Sequence, residues 1–181
     1  MLAVAFVALF AVSGLNAEEV KSGLKIGASP AAFYVNDVTG PAKGTSLCYR
    51  CRYGARPTVA IFARELTDEV KDLIKKIDST VVANSDQKLA AFVVILSDSP
   101  EAQKSSLAKL AASAKIDSTP LTVYKDSKGP AKYKVSEKAA VNVMMWNGIA
   151  GGVAVNHAFS TSELTKKQIA AIVKDTGKIL E

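Results

Sequence analysis

Two stretches of this chain are nearly apolar throughout: residues 58–63 read TVAIFA and residues 90–96 read AAFVVIL. A strand with one wet face would alternate with period two. These runs do not, so each is expected to be a strand covered on both faces, and their β-branched and aromatic content favours strand over helix. Each is followed by a helical pattern. After the first, Thr67 can cap a helix with Asp68 and Glu69 in its first turn. Val70, Leu73, Ile74 and Ile77 then recur at i, i+3, i+4, i+7 as one buried stripe. After the second, Ser99 precedes Pro100 at the first helical position, and Leu107, Leu110, Ala111 and Ala114 form the stripe. Strand, helix, strand, helix implies a right-handed crossover and a parallel pair.

The remaining segments complete the sheet. Residues 33–38 read as a strand closed by a turn at 39–41, and 121–124 as a strand entered through Thr119 and Pro120. Residues 140–146 and 153–159 pair as a hairpin across Gly148, Gly151 and Gly152. A last helix follows Thr165, which has capping-box spacing to Gln168. Ile169, Ile172, Val173, Thr176 and Leu180 line one of its faces. The expected architecture is α/β: a sandwich with a central mixed β-sheet flanked by helices and an N-terminal strand or hairpin extension. A length of 181 residues suits one domain.

Residues 1–17 stand apart. Positions 2–12 are almost wholly apolar, a Ser13-Gly14 break follows, and Ala17 precedes Glu18 and Glu19. That is the pattern of a secretory signal without the usual basic start, and too short for a bilayer span of about 20 residues. The expected mature protein is 18–181, a single exported domain, periplasmic or extracellular, with no stable membrane span once the signal is removed. The net charge is +6, and the lysines are scattered over helices and loops. No basic run interleaved with aromatics forms a nucleic-acid platform, so the charge reads as a soluble basic surface.

Both cysteines lie in one stretch, Cys48 to Arg56, with C-x-x-C spacing and with Arg50, Arg52 and Arg56 beside them. Its surroundings, residues 42–57, contain Gly44, Gly54 and four charges, and are expected to form a surface loop. Outside the cytosol such a pair persists as a disulfide. Neighbouring guanidinium groups favour the thiolate, the reactive form, so redox chemistry is one expectation, with a protein thiol or disulfide as partner. A structural disulfide is another, although so small a loop stabilises by less than the ~3 kcal/mol of a 15-residue loop. Copper or zinc handling is a third, with Cys48, Cys51 and His157 as its candidate ligands. His157 shares strand alternation with Val153, Val155 and Phe159, which reads as a satisfied half-buried histidine. Arg52 after Cys51 excludes a c-type haem site, and no cofactor is implied.

The order of elements resembles the thioredoxin-like fold from about residue 26 to 180. Thr119-Pro120 before 121–124 resembles the cis-proline and strand of that superfamily. Ile26 and Gly27 through Phe33 to Asp37 and Gly40 resemble the N-terminal hairpin of its peroxiredoxin and periplasmic thiol-reductase branch. The chain as a whole is also similar to small exported thioredoxin-like proteins of planctomycete-type bacteria. The resemblance implies that a redox cysteine should follow the first central strand and open the next helix. Residues 63–67 read ARELT there, without cysteine, so the usual active-site position is lost and only Pro120 maps onto the family pattern.

Overall fold

The computed structural model describes residues 20–148 and 150–180; the expected signal, residues 1–17, lies outside them. The two apolar runs become β3 (Pro57–Ala63) and β4 (Ala90–Leu96). They pair in parallel, from Thr58 opposite Ala90 to Ala63 opposite Ile95. Around them stand β1 (Val35–Asp37), β2 (Ser46–Leu47), β5 (Leu121–Tyr124), β6 (Val141–Asn147) and β7 (Val153–Phe159). The seven strands form one mixed sheet in the order β2-β1-β5-β4-β3-β6-β7. β5 continues the parallel set beside β4. β6 runs antiparallel to β3, and β7 returns antiparallel to β6 with a bulge at Met145/Trp146.

The helices are α1 (Tyr49–Tyr53), α2 (Asp68–Ala83), α3 (Pro100–Ala114) and α4 (Lys166–Asp175). Thr67, Ser99 and Thr165 stand at the expected N-caps, but Ser99 and Thr165 make no side-chain cap bond. Thr67 Oγ1 accepts the Val70 amide at 3.3 Å, and Pro100 opens α3. Two successive right-handed crossovers step from β3 to β4 to β5 in one direction, which places α2 and α3 on the same face. There Leu73, Ile74 and Ile77 of α2, Leu107 of α3 and Ile169 and Ile172 of α4 pack on Val59, Ile61, Val93 and Ile95.

The alternate side chains, Ala60, Phe62, Phe92, Val94, Met144 and Trp146, face the other way. Among the described residues no long helix covers them; Phe33, Tyr49, Tyr53 and Tyr133 do, from short or irregular segments. Phe33 lies 4.7 Å from Tyr133 edge-on, and Tyr49 stacks on Phe92 at 5.4 Å. Burying each such ring is worth roughly 1.5–3 kcal/mol, so this face is a second core.

Three expectations change. The strand expected over 33–38 is confined to Val35–Asp37, because Phe33 leaves the sheet to enter the aromatic layer. The stretch 42–57 is not simply a surface loop. It contains β2 and α1, and Cys48, Tyr49 and Tyr53 are buried, because Tyr49 and Tyr53 at i, i+4 share one helix face. Pro120 is not a cis-proline: no cis peptide bond occurs among the described residues. It opens a strand parallel to β4 and separated from β3 by β4.

Candidate functional site

α1 is one and a half turns built around the cysteines. Cys48 is its N-cap, and its sulfur accepts the Cys51 amide at 3.1 Å. Gly54 ends the helix with φ of +56°, a conformation that glycine adopts without a side-chain clash. The two cysteines form a disulfide with 5.2 Å between Cα atoms. Their environments differ. Cys48 is 3% exposed, whereas Cys51 is on the surface.

Asp37 fixes the position of α1. It is fully buried, and its carboxylate accepts the Tyr49 hydroxyl at 2.7 Å and the amides of Gly40 and Ala42 at 2.7 and 2.8 Å. Gly40 has to be glycine, because a Cβ there would collide with the Tyr49 hydroxyl and stand 2.7 Å from the Asp37 carboxylate and 2.8 Å from Pro120 Cβ. Tyr53 donates to the Ala91 carbonyl at 3.0 Å. Burial raises the ionisation of Tyr49 far above the usual phenol range, and its bond to Asp37 adds to this. Burial does the same for Tyr53, partly offset by Arg56 and Arg52, and for Tyr133.

The arginines take different roles. Arg50 Nε donates to the Pro30 carbonyl at 2.9 Å. Arg56 donates to the carbonyls of Lys88 and Leu89 and lies 5.2 Å from the Tyr53 ring centre. Arg52 is exposed; its amide donates to the Cys48 carbonyl at 2.9 Å, and among the described residues its guanidinium makes no hydrogen bond or ion pair.

The site lies at the end of the sheet where the parallel strands begin. α1 leads into Pro57 at the start of β3, Arg56 binds the chain just before β4, and Gly148, just past β6, sits against Ala55. Pro120 approaches the site through Gly40 at this same end, not at the C-terminal edge of the sheet. The other end of β3 is where the family resemblance expects a cysteine. There Thr67 and Val70 repeat the local cap geometry of Cys48 and Cys51 with a hydroxyl and a valine. Arg64 closes that end by donating to the carbonyls of Ala139, Ser127 and Ser136. The cleft beside it, lined by Arg64, Glu65, Thr67 and Ser160 among others, holds about 110 Å³, below the ~300 Å³ at which small-molecule sites begin.

The three metal-ligand candidates are not brought together. Both thiols are in the disulfide, and among the described residues no group of three or more His, Cys, Asp or Glu could hold a metal ion. His157, half-buried on the edge strand β7, has Nε2 2.9 Å from the Asp175 carboxylate, which also pairs with Lys178. Asp37, Gly40, Tyr49 and Arg64 build the site without the sequence marking them as site-forming residues. Their only sequence signals are an aspartate three residues before a glycine turn and a lone arginine at a strand end.

No family model matches the sequence, and no curated protein matches it. Solved structures match by fold. A Chlorobium tepidum protein assigned as the thiol:disulfide interchange protein DsbE is 12% identical, covering 87% of this chain and 99% of that one, with a TM-score of 0.66. A yeast mitochondrial 1-Cys peroxiredoxin is 11% identical, covering 86% and 77%, with a TM-score of 0.63. A thiol:disulfide interchange protein from Bacteroides sp. is 14% identical, covering 85% and 91%, with a TM-score of 0.58. The fold of this chain is therefore thioredoxin-like.

Proposed function

We propose that this chain is an exported thioredoxin-like protein, of the branch that holds peroxiredoxins and periplasmic thiol reductases, that exchanges disulfides with protein thiols through Cys48 and Cys51. The observation that carries this is the asymmetry of the pair: Cys51 is exposed and Cys48 is buried as the helix cap. A partner thiolate attacks the Cys51 sulfur, the Cys48–Cys51 bond breaks, and Cys48 leaves as a thiolate. The Cys51 amide already points at that sulfur, and a hydrogen bond to the charged form favours it. A second partner thiolate then attacks the partner's sulfur in the mixed disulfide and releases Cys51. Two electrons pass from the partner dithiol to the pair. In the reverse direction Cys51 attacks a partner disulfide and Cys48 resolves the mixed species. The arginines supply positive potential around both thiolates. Export rests on the signal pattern of residues 1–17 and suits a persistent disulfide.

The test is exchange of the reduced protein with a small peptide disulfide, followed by intact mass. Reductase turnover with wild type, and a stable mixed disulfide on Cys48→Ser, are expected. A second reading, a non-catalytic binding module with a structural disulfide, is favoured by the start of α2, where the resemblance expects a redox cysteine and the chain has Thr67 capping Val70. It requires that the reduced protein reoxidise without exchange.

A further inference from the structure

All four arginines of the chain lie between positions 50 and 64, and no acidic residue occurs between Asp37 and Glu65. The ion pairs among the described residues are made by lysines and His157, and none by an arginine. Asp37, the acid hydrogen-bonded within the site, is buried and committed to Tyr49, Gly40 and Ala42. The surface around Cys51 thus carries positive charge that its own segment does not neutralise. Arg52 adjoins Cys51 in sequence and is exposed, and Arg50, one residue before it, has only its Nε committed. A guanidinium presents a planar fork that matches a carboxylate with two parallel hydrogen bonds.

From this we infer the substrate class of the proposed exchange, on which the inference rests: the partner is a thiol or disulfide with carboxylates beside its cysteine, held by Arg52 and Arg50 while its sulfur meets Cys51. The chemistry is that of the exchange above. Two carboxylate-flanked thiolates are oxidised to one disulfide, the Cys48–Cys51 bond is reduced, and the two new thiolates take up solvent protons. A short free peptide and an acidic segment of a larger protein share this chemistry.

The experiment measures reduction of the oxidised protein by two reduced peptides of equal length, one with glutamates on both sides of a single cysteine and one with lysines. Each rate is divided by that peptide's rate with 2,2′-dithiodipyridine, a neutral disulfide, which removes differences in thiol acidity. The expected ratio favours the glutamate peptide by about five- to tenfold at low salt and falls as salt rises. It collapses or inverts in Arg52→Glu but persists in Lys109→Glu, an equal charge change on α3. A free tripeptide and a longer acidic peptide, run side by side, separate a small-thiol partner from a protein one. A ratio near one, or one that Lys109→Glu abolishes as fully as Arg52→Glu, overturns the inference and leaves the redox reading standing. No exchange with either peptide overturns the redox reading and this inference with it.

Discussion

The sulfur of Cys48 accepts the amide proton of Cys51 at 3.1 Å, and of the two residues, joined in one disulfide, Cys48 is buried and Cys51 exposed. The exposed residue is the second of the pair, so a partner meets Cys51 first. The pair should therefore respond asymmetrically to single substitution. Cys48→Ser should accumulate a mixed disulfide on Cys51, while Cys51→Ser should react at least about tenfold more slowly, because Cys48 is buried. Mass spectrometry of quenched samples reads both. Equal rates for the two variants would remove the assigned roles.

Removing the disulfide should cost little stability. Its loop is so short that the entropic contribution stays below the ~3 kcal/mol of a 15-residue loop. Denaturant titration of the reduced wild type should show a loss of about 1–2 kcal/mol with a cooperative transition retained. Complete unfolding on reduction would make the bond chiefly structural.

Tyr49→Phe should cost more than the disulfide. It removes the 2.7 Å hydrogen bond to a buried carboxylate and leaves Asp37 one donor short, a loss of about 1–3 kcal/mol. Gly40→Ala should be at least as damaging, since its methyl would occupy the place of the Tyr49 hydroxyl. Chemical denaturation of both variants checks the order.

The buried tyrosines set an alkaline limit. Tyr49, Tyr53 and Tyr133 ionise above the usual range, chiefly because burial disfavours the phenolate. A folded pKa raised above the unfolded value stabilises fully below the unfolded pKa of about 10, and the contribution is lost as pH rises through the folded pKa. Stability should therefore hold to about pH 10 and fall beyond it, with tyrosinate absorbance from these three residues appearing together with unfolding. Gradual ionisation in the folded state would contradict their burial.

An acid limit comes from Asp175. Burial resists ionisation of its carboxyl, but hydrogen bonds from Lys178 and His157 outweigh it and hold the carboxyl below its usual range. A depressed pKa stabilises above the unfolded value and the contribution is lost as pH falls through the folded one. Asp175→Asn should be about 0.5–1 kcal/mol less stable at pH 6, an exposed-pair magnitude, and equal to wild type well below pH 4. A difference that survives at low pH would place the effect in packing.

The fold was legible because the strongest signals were local. β3 and β4 announced themselves by lacking alternation, and Thr67 and Pro100 marked helix starts that the structure keeps. α1 was not legible, because five residues are too few to show a period and its glycine and arginines look like loop. Tyr49 and Tyr53 gain their meaning only from Phe92 and Asp37, which lie distant in sequence. Pro120 misled for a related reason. A proline before a strand fixes neither the isomer of its peptide bond nor which strand becomes the neighbour, and here the crossover through α3 put β5 beside β4. That the cysteines lie before β3 could be read directly from the chain; that one is buried and the other exposed could not.

The reduction potential of the Cys48–Cys51 pair separates a catalytic dithiol from a structural bond. Equilibration with glutathione or dithiothreitol buffers, read by thiol alkylation and mass, should give a value above about −300 mV, within the span of catalytic dithiols. A value well below about −300 mV, with no disulfide exchange by the reduced protein, would show that the bond is a structural staple and contradict the account.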